Sequence, residues 1–301
     1  MIWAAGIDIG GTQVKAVAVT DAGEVRQRAM RATRDGEAGA AEWIAGARGL
    51  LADFSSAEGN APAAIGVGAP GLVASDARSI AHLPGKLAGL VGLDWTAALD
   101  RTTIVPVLND AQAALLGEAW IGAARDRRHV VMVTLGTGVG GAVLNDGRLL
   151  RGAIGRAGHL GHMSLDPSGP ASITGMPGAI EVWMGDCTVA ARTGGRFSTT
   201  AELVAAHRAG DAAASAIWLR SVRALACAIG SWINLFDPEV VVIGGGIALA
   251  GDALFVPLAR ELDAIEWRPG GHRVPIVAAA LGEWAGAIGA ARHALTFHDS
   301  H

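Results

Sequence analysis

The stretch Asp8-Ile9-Gly10-Gly11-Thr12-Gln13-Val14-Lys15 sets a carboxylate just ahead of two glycines and a threonine. Glycines let main-chain N–H groups converge on one anion with no side chain in the way, and Thr12 adds a hydroxyl. Asp8 could then hold Mg2+ against phosphates, directly or through water. The same residues also suit a tight hairpin with a buried aspartate. Gly136-Thr137-Gly138-Val139-Gly140-Gly141 has the same character. It matches G-x-G-x-x-G, a weak sign of dinucleotide binding, but residues 141–144 read as a strand where that fold needs a helix. No G-x4-G-K-[ST] occurs, so a second phosphate-binding hairpin is the better reading. A buried strand over 240–243 runs into Gly244-Gly245-Gly246 and a helix. A flat ligand or a phosphate could rest on that bare backbone at the helix start, or the glycines could serve close helix–strand packing.

Asn109-Asp110 stands between a strand and a helix. Asp110 could be only the N-cap, a use worth roughly 1 kcal/mol. With the small residues Ala111, Ala113, Ala114 and Gly117 near it, it could also accept a hydroxyl proton during attack on a phosphoryl group. Residues 158–181 carry His159 and His162 among many glycines and end on Glu181, with no cysteine. That stretch can be read as a metal site, a metal site that has lost its ligands, or a substrate pocket.

These groups need a scaffold, and the pattern supplies one in two parts. Residues 3–9, 14–20 and 24–32 read as a three-strand meander, 38–54 as a helix and 63–67 as a short buried strand. Residues 66–71, Gly-Val-Gly-Ala-Pro-Gly, read as a loop; 103–108 reads as a strand and 110–122 as a helix. The plan then restarts: strands at 129–135 and 141–144 flank the second glycine turn, with Asn145-Asp146-Gly147 as a hairpin turn. Helices follow at 200–209 and 212–236, then a strand at 240–243, a helix at 253–265, a strand at 274–278 and a helix at 283–295. A strand, a glycine turn and a strand open each half, which predicts two related α/β lobes: residues 1–108, joined by the C-terminal helix 283–301, and residues 109–282.

Composition narrows the class. The 301 residues are 51% hydrophobic and 17% charged, a folded profile of ordinary two-domain size. A net charge of −4 argues against a nucleic-acid surface, and two cysteines are too few for a disulfide framework. No signal peptide or spanning segment is expected, which predicts a cytoplasmic protein with no membrane partner.

Taken together, the motifs resemble the ROK family (repressors, open reading frames and sugar kinases) nearly end to end. The resemblance implies a two-lobe α/β actin-like ATPase (ribonuclease H-like) fold with a ligand cleft between lobes. It makes Asp8 to Thr12, with Lys15, the first phosphate motif, and Gly136, Thr137 and Gly138 the start of the second. Gly244, Gly245 and Gly246 resemble the adenosine-side motif. Asn109-Asp110-Ala111-x-Ala113-x3-Gly117-Glu118 is similar to the segment whose aspartate is the family's base, which assigns that role to Asp110. Family kinases move the ATP γ-phosphate to a hexose hydroxyl, usually at C6, with Mg2+; here Asp8 would be the Mg2+ residue. The family's repressors carry a DNA-binding segment before the first glycine motif, and seven residues precede Asp8, so that branch is not expected. The family also implies a homodimer or larger homo-oligomer.

The same resemblance gives residues 158–181 a role. Family kinases there read A-G-E-x-G-H and then C-x-C-G-x-x-G-C-x-E, with Glu, His and the last Glu on the sugar and His plus three Cys on a structural zinc. His162 and Glu181 match, whereas Ser172, Thr174 and Ala179 stand at the cysteine positions and cannot offer thiolates. Zinc is therefore expected to be absent, with the loop held by packing and by Pro167, Pro170 and Pro177. His159 stands at the first sugar-facing Glu, and His82 stands where the family often has Asn. The expected sugar contacts are Gly71, His82, Asn109, Asp110, His159, His162 and Glu181. Imidazole in place of carboxylate removes a fixed negative acceptor, which predicts a sugar other than plain glucose. An amino-hexose, kanosamine for instance, is the expected case, with glucose, mannose and N-acetylhexosamines open. The competing classes are a non-catalytic sugar sensor and a nicotinamide-dependent oxidoreductase.

Overall fold

The computed structural model describes residues 2–33, 39–85 and 87–297. Along the chain run β1 (Trp3–Ile9), β2 (Gln13–Thr20), β3 (Val25–Ala32), α1 (Ala40–Glu58), β4 (Ala64–Ala69), β5 (Leu72–Val73), β6 (Ile80–His82), α2 (Trp95–Ala98), β7 (Val107–Asn109) and α3 (Asp110–Ile121). Next come β8 (Val130–Leu135), β9 (Val139–Asn145), β10 (Arg148–Leu149), α4 (Ile180–Met184), α5 (Val189–Arg192), α6 (Thr200–Arg208) and α7 (Ala212–Phe236). The chain closes with β11 (Val240–Gly244), α8 (Asp252–Ile265), β12 (Ile276–Ala278) and α9 (Ala285–Phe297). It divides into two compact units: Met1–Asp126 with Arg151–Ala157 and Ala280–His301, and Arg127–Leu150 with Gly158–Ala279.

The sheet of the first unit has the order β3-β2-β1-β4-β7, antiparallel across the meander and parallel from β1 onward. Alternation along β1 explains its two faces. Trp3, Ala5, Ile7 and Ile9 point into a core with Trp43, Leu50 and Phe54 of α1. Ala4 and Gly6 meet α9, whose Ala287, Ile288, Ala291 and Ala294 complete a second buried layer. Those strand residues must be small because the helix backbone lies directly on them: a Cβ on Gly6 would sit 1.8 Å from Ala287 O, and one on Gly66 2.1 Å from Ala290 O. β3 is an edge strand whose exposed residues include Arg26, Arg28 and Arg31, the last paired with Asp53 of α1.

In the second unit the sheet order is β10-β9-β8-β11-β12, again antiparallel for three strands and parallel thereafter. Val131, Val133 and Leu135 of β8 and Val241 and Ile243 of β11 share a core with α7. α7 presents Trp218, Val222, Leu225, Ile229 and Trp232 at helical spacing to that core. By length and composition α7 could cross a membrane, yet these residues are buried within the protein. A Thr199/Glu202 capping box starts α6, and Asp211 caps α7.

Several boundaries differ from the sequence expectation. Residues 66–69 are strand, not loop, because their glycines serve close packing rather than a turn, Gly66 against α9 and Gly68 against Ala113 of α3 and Asp8. The strand expected over 103–108 begins only at Val107 and runs on to Asn109, and the strand expected over 274–278 pairs only from Ile276. The break expected after residue 108 falls after Asp126, because α3 packs backbone-to-backbone on α9: a Cβ on Gly289 would lie 1.6 Å from Ala113 O. The start of the 38–54 helix lies outside the described residues, as do residues 298–301 of the C-terminal segment.

Candidate functional site

In the first unit, β1 delivers Asp8 to the end of the sheet just before the turn. The carboxylate lies against two glycines: a Cβ on Gly286 would come within 2.8 Å of Asp8 Oδ2, and one on Gly68 within 3.5 Å of Oδ1. Burial, and after it the negative charge of Asp110, raises the Asp8 pKa to about 7, with Lys15 pulling the other way. Two carboxylates that oppose each other's ionisation are hard oxygen donors suited to a divalent cation such as Mg2+. Lys15 is opposite Asp8 on β2, and its ammonium is 3.0 Å from Glu283 Oε2. The turn itself is pinned from β3's far end: Thr33 Oγ1 donates to Gly10 O at 2.6 Å and Thr33 N to Thr12 O at 2.9 Å. Gly11 needs no positive φ, and a Cβ there would meet nothing within 4 Å. Neither turn geometry nor packing demands glycine there, and the bare backbone is open to an approaching ligand.

β7 ends on Asn109, and the two readings of Asp110 separate at this point. Asn109, not Asp110, is the N-cap of α3: its Oδ1 accepts from Ala111 N at 3.0 Å and Gln112 N at 3.4 Å. Its Nδ2 donates to Gly71 O at 3.0 Å. Gly71 has φ 107°, and a Cβ there would lie 2.7 Å from His82 O. Gly71, Asn109 and the main chain of His82 are thus brought together, and the His82 side chain is exposed on β6. Asp110 is exposed at the first position of α3, where Oδ1 accepts from Ala111 N at 2.8 Å.

The second unit gathers the other two glycine motifs. Asp186 N and Cys187 N donate to Gly136 O and Thr137 O at 2.9 Å, fixing the turn after β8. Gly245, with φ 86°, presses on the end of β8, where a Cβ would be 2.2 Å from Leu135 O. Gly244 is buried inside β11, and the α-helix after the motif begins only at Asp252. Gly136, Thr137 and Gly246 line a cavity of about 430 Å3 with Asp186, Thr199, Thr200, Val204, Arg208, Ile247 and Leu249. That size, with apolar walls alongside Thr137, Asp186, Thr199, Thr200 and Arg208, suits a nucleotide base and sugar. A Cβ on Gly136 or Gly246 would meet nothing within 4 Å, so both leave backbone open to the cavity. β9 after the second turn is antiparallel strand, which removes the nicotinamide-dependent reading.

Glu181, on α4, sits at that same turn. Its Oε2 accepts from Val139 N at 3.1 Å and would lie 2.4 Å from a Cβ on Gly138. The rings of His159 and His162 are stacked, with centroids 6.4 Å apart, and His162 Nδ1 is buried with no hydrogen-bond partner among the described residues. Ser172 Oγ and Thr174 Oγ1 bond each other at 3.0 Å. Among the described residues no group of three or more His, Cys, Asp or Glu could hold a metal. Hydrogen bonds also tie this loop together: Leu165 N donates to Gly178 O at 2.9 Å, Gly178 N to Pro170 O at 2.8 Å, and Ser164 Oγ to Pro177 O at 2.6 Å.

The sequence reading missed Asp186, Thr200, Arg208, Thr33 and Glu283. None carries a motif; each reaches its place through a fold contact distant in sequence, such as Thr200 N to Asp186 Oδ1 at 2.5 Å.

Comparison with known proteins places these features in context. The model of the family described as ROK matches residues 4–296. A glucokinase of Thermotoga maritima is 33% identical over 306 residues, covering 95% of both chains. An N-acetylmannosamine kinase of Escherichia coli is 32% identical over 95% of this chain and 96% of its own. Among solved structures, a ROK family glucokinase from Streptomyces griseus in complex with glucose and AMPPNP superposes with a TM-score of 0.77 at 28% identity, covering 98% of this chain and 99% of that one.

Proposed function

We propose that this chain, which belongs to the ROK family and has its actin-like ATPase fold, is a sugar kinase acting on the 6-hydroxyl of a hexose or amino-hexose. The observation that carries the chemistry is the division of labour at the start of α3. Asn109 caps the helix, so Asp110 is exposed there without being needed as the cap. In this reading Asp110 accepts the hydroxyl proton as the sugar oxygen attacks the γ-phosphorus in line; the new O–P bond forms as the bond to the bridging oxygen breaks and ADP leaves. The open backbone of Gly11, Gly136 and Gly246 would receive the nucleotide. Mg2+ held by Asp8 would offset the charge of the phosphates when bound.

For the sugar we assign Gly71, His82, Asn109, His159, His162 and Glu181, and an amino-hexose, kanosamine (3-amino-3-deoxyglucose), as the preferred case. Support comes from His159 standing in place of a carboxylate, and from Glu181 Oε1, which has no hydrogen bond among the described residues and could meet an ammonium. A kinetic screen with ATP and Mg2+ over glucose, mannose, N-acetylmannosamine, N-acetylglucosamine and kanosamine tests this. The highest kcat/KM should fall on the amino-hexose; glucose in first place would remove the substrate assignment, and no turnover of any sugar would remove the kinase reading. Asp110→Asn should lower kcat by about 10^3-fold, in the range of a lost general base, and a loss of only a few-fold would show that another group takes the proton.

A further inference from the structure

Glu118, near the end of α3, has a carboxylate with no exposed surface. Oε2 accepts from Ala123 N at 2.7 Å and from Ala280 N at 3.1 Å, and Oε1 accepts from Leu281 N at 2.8 Å. Its main-chain oxygen takes two more, from Gly122 N at 3.1 Å and Ala124 N at 3.0 Å. These donors share one property. Residues 122–124 lead to Asp126, where the chain first leaves its unit, and Ala280 is the first residue after its last return. Gly122 makes room for the carboxylate, since a Cβ there would lie 2.2 Å from Glu118 Oε2. Among the described residues Glu118 has no cationic partner within ion-pair distance. Three N–H groups converge on it instead, as on other buried carboxylates that must be satisfied without a cation. Capping α3 alone would not require this, because Gly122 N already closes the helix end on the main-chain oxygen of Glu118.

We infer that Glu118 is a positioning residue that fastens the departing and the returning main chain to α3, and through α3 to α9. It touches neither nucleotide nor sugar. Its effect on the reaction would come from holding the chain segments that must bend if binding moves one unit. That kinetic consequence rests on the kinase reading, whereas the fastening itself does not.

Hydrogen exchange under native conditions reads the fastening directly. In Glu118→Gln one acceptor oxygen becomes a donor facing N–H groups, so amides of 122–124 and 280–281 should exchange about tenfold faster or more, the scale of one lost bond to a charged group. Amides of β1, β8 and α7 should keep their rates. Glu118→Asp, which keeps the charge but draws the carboxylate back, should give the same pattern and covers a failure of the first variant to fold. A rise spread evenly over all slow amides means a general loss of stability and overturns the inference, as does no change. In the kinetic arm, kcat and sugar KM should shift together by several-fold, as hinge substitutions do. A lower kcat at unchanged KM reports only less folded enzyme and overturns the positioning role. A parent protein that phosphorylates no sugar would sink the kinase reading while leaving the exchange result to stand or fall alone.

Discussion

The two glycine hairpins are built alike and equipped differently. Each lies between the first two strands of a sheet whose order and strand directions are the same in both units. The penultimate residue of the first strand is Asp8 in one and Thr134 in the other, and the residue paired with it is Lys15 in one and Gly140 in the other. One hairpin therefore carries a carboxylate and an ammonium on its own strands, whereas at the other the carboxylate, Glu181, is brought in from α4. The second turn instead opens onto the cavity through Gly136 and Thr137. A repeated fold has supplied two cradles, while charge was built into the strands of only one. In the proposed function this separates cation handling, which needs Asp8, from nucleotide seating, which needs only backbone.

The sharpest way to break that contrast is to neutralise both penultimate residues. Asp8→Asn should lower kcat by about 10^2-fold, the scale of removing one preorganised charge from a reacting phosphate site. Thr134→Val should stay within about threefold, judged by the same saturation kinetics. Equal effects would show that the two turns do the same work.

Next come the glycines. Gly245→Ala should destabilise by about 2–4 kcal/mol in denaturant unfolding, since it combines a positive φ with a clash against main chain. Gly136→Ala should leave stability within about 0.5 kcal/mol, because its site is open, and should instead raise the KM for ATP. Loss of stability in Gly136→Ala would mean that the turn is structural.

A smaller effect is expected in the pH dependence of stability. The pKa of Asp8 is raised from 3.8 to about 7, so between those values the native protein holds a proton that the unfolded chain has lost. The stability this contributes is complete below about pH 4 and disappears as pH rises through 7. Asp8→Asn removes the dependence. The Tm difference, variant minus parent, should be near zero at pH 4 and grow to a few degrees by pH 8 without Mg2+ or nucleotide; a flat difference would mean that Asp8 ionises freely. Smallest of all, His159→Glu should shift the kcat/KM ratio of glucose to kanosamine toward glucose by about tenfold, the scale of one altered polar contact. An unchanged ratio would make His159 a bystander.

Much of the scaffold could be read from the chain, for reasons that differ by element. The meander, α6 and α7 carry their own signals in alternation, capping and helical spacing, so their extents agree to within a residue or so. Glycine misled where its purpose was remote. Gly66 and Gly68 look like a loop but are strand residues, Gly66 kept small for α9, a helix more than two hundred positions away, and Gly68 for Ala113 and Asp8. The three bare-backbone positions were legible as motifs, yet which glycine serves the fold and which stands open was not. Gly245 and Gly246 are neighbours with opposite surroundings. Asp110 was ambiguous by itself, because Asn and Asp are both good caps and only the geometry assigns that role to Asn109. Glu118 was visible only as a letter of a motif; its partners at 123, 280 and 281 depend on how the chain returns.

That return has a bearing on synthesis. α9 holds the last described residues, and β1, β4 and α3 of the first unit are covered by it. While the ribosome is still adding residues 127–279, the amino-terminal sheet has one finished face and one bare face. Ala4, Gly6 and Gly66 can be shielded only after Ala287 to Ala294 of α9 have emerged, so the part made first is among the last to close, with apolar surface open meanwhile.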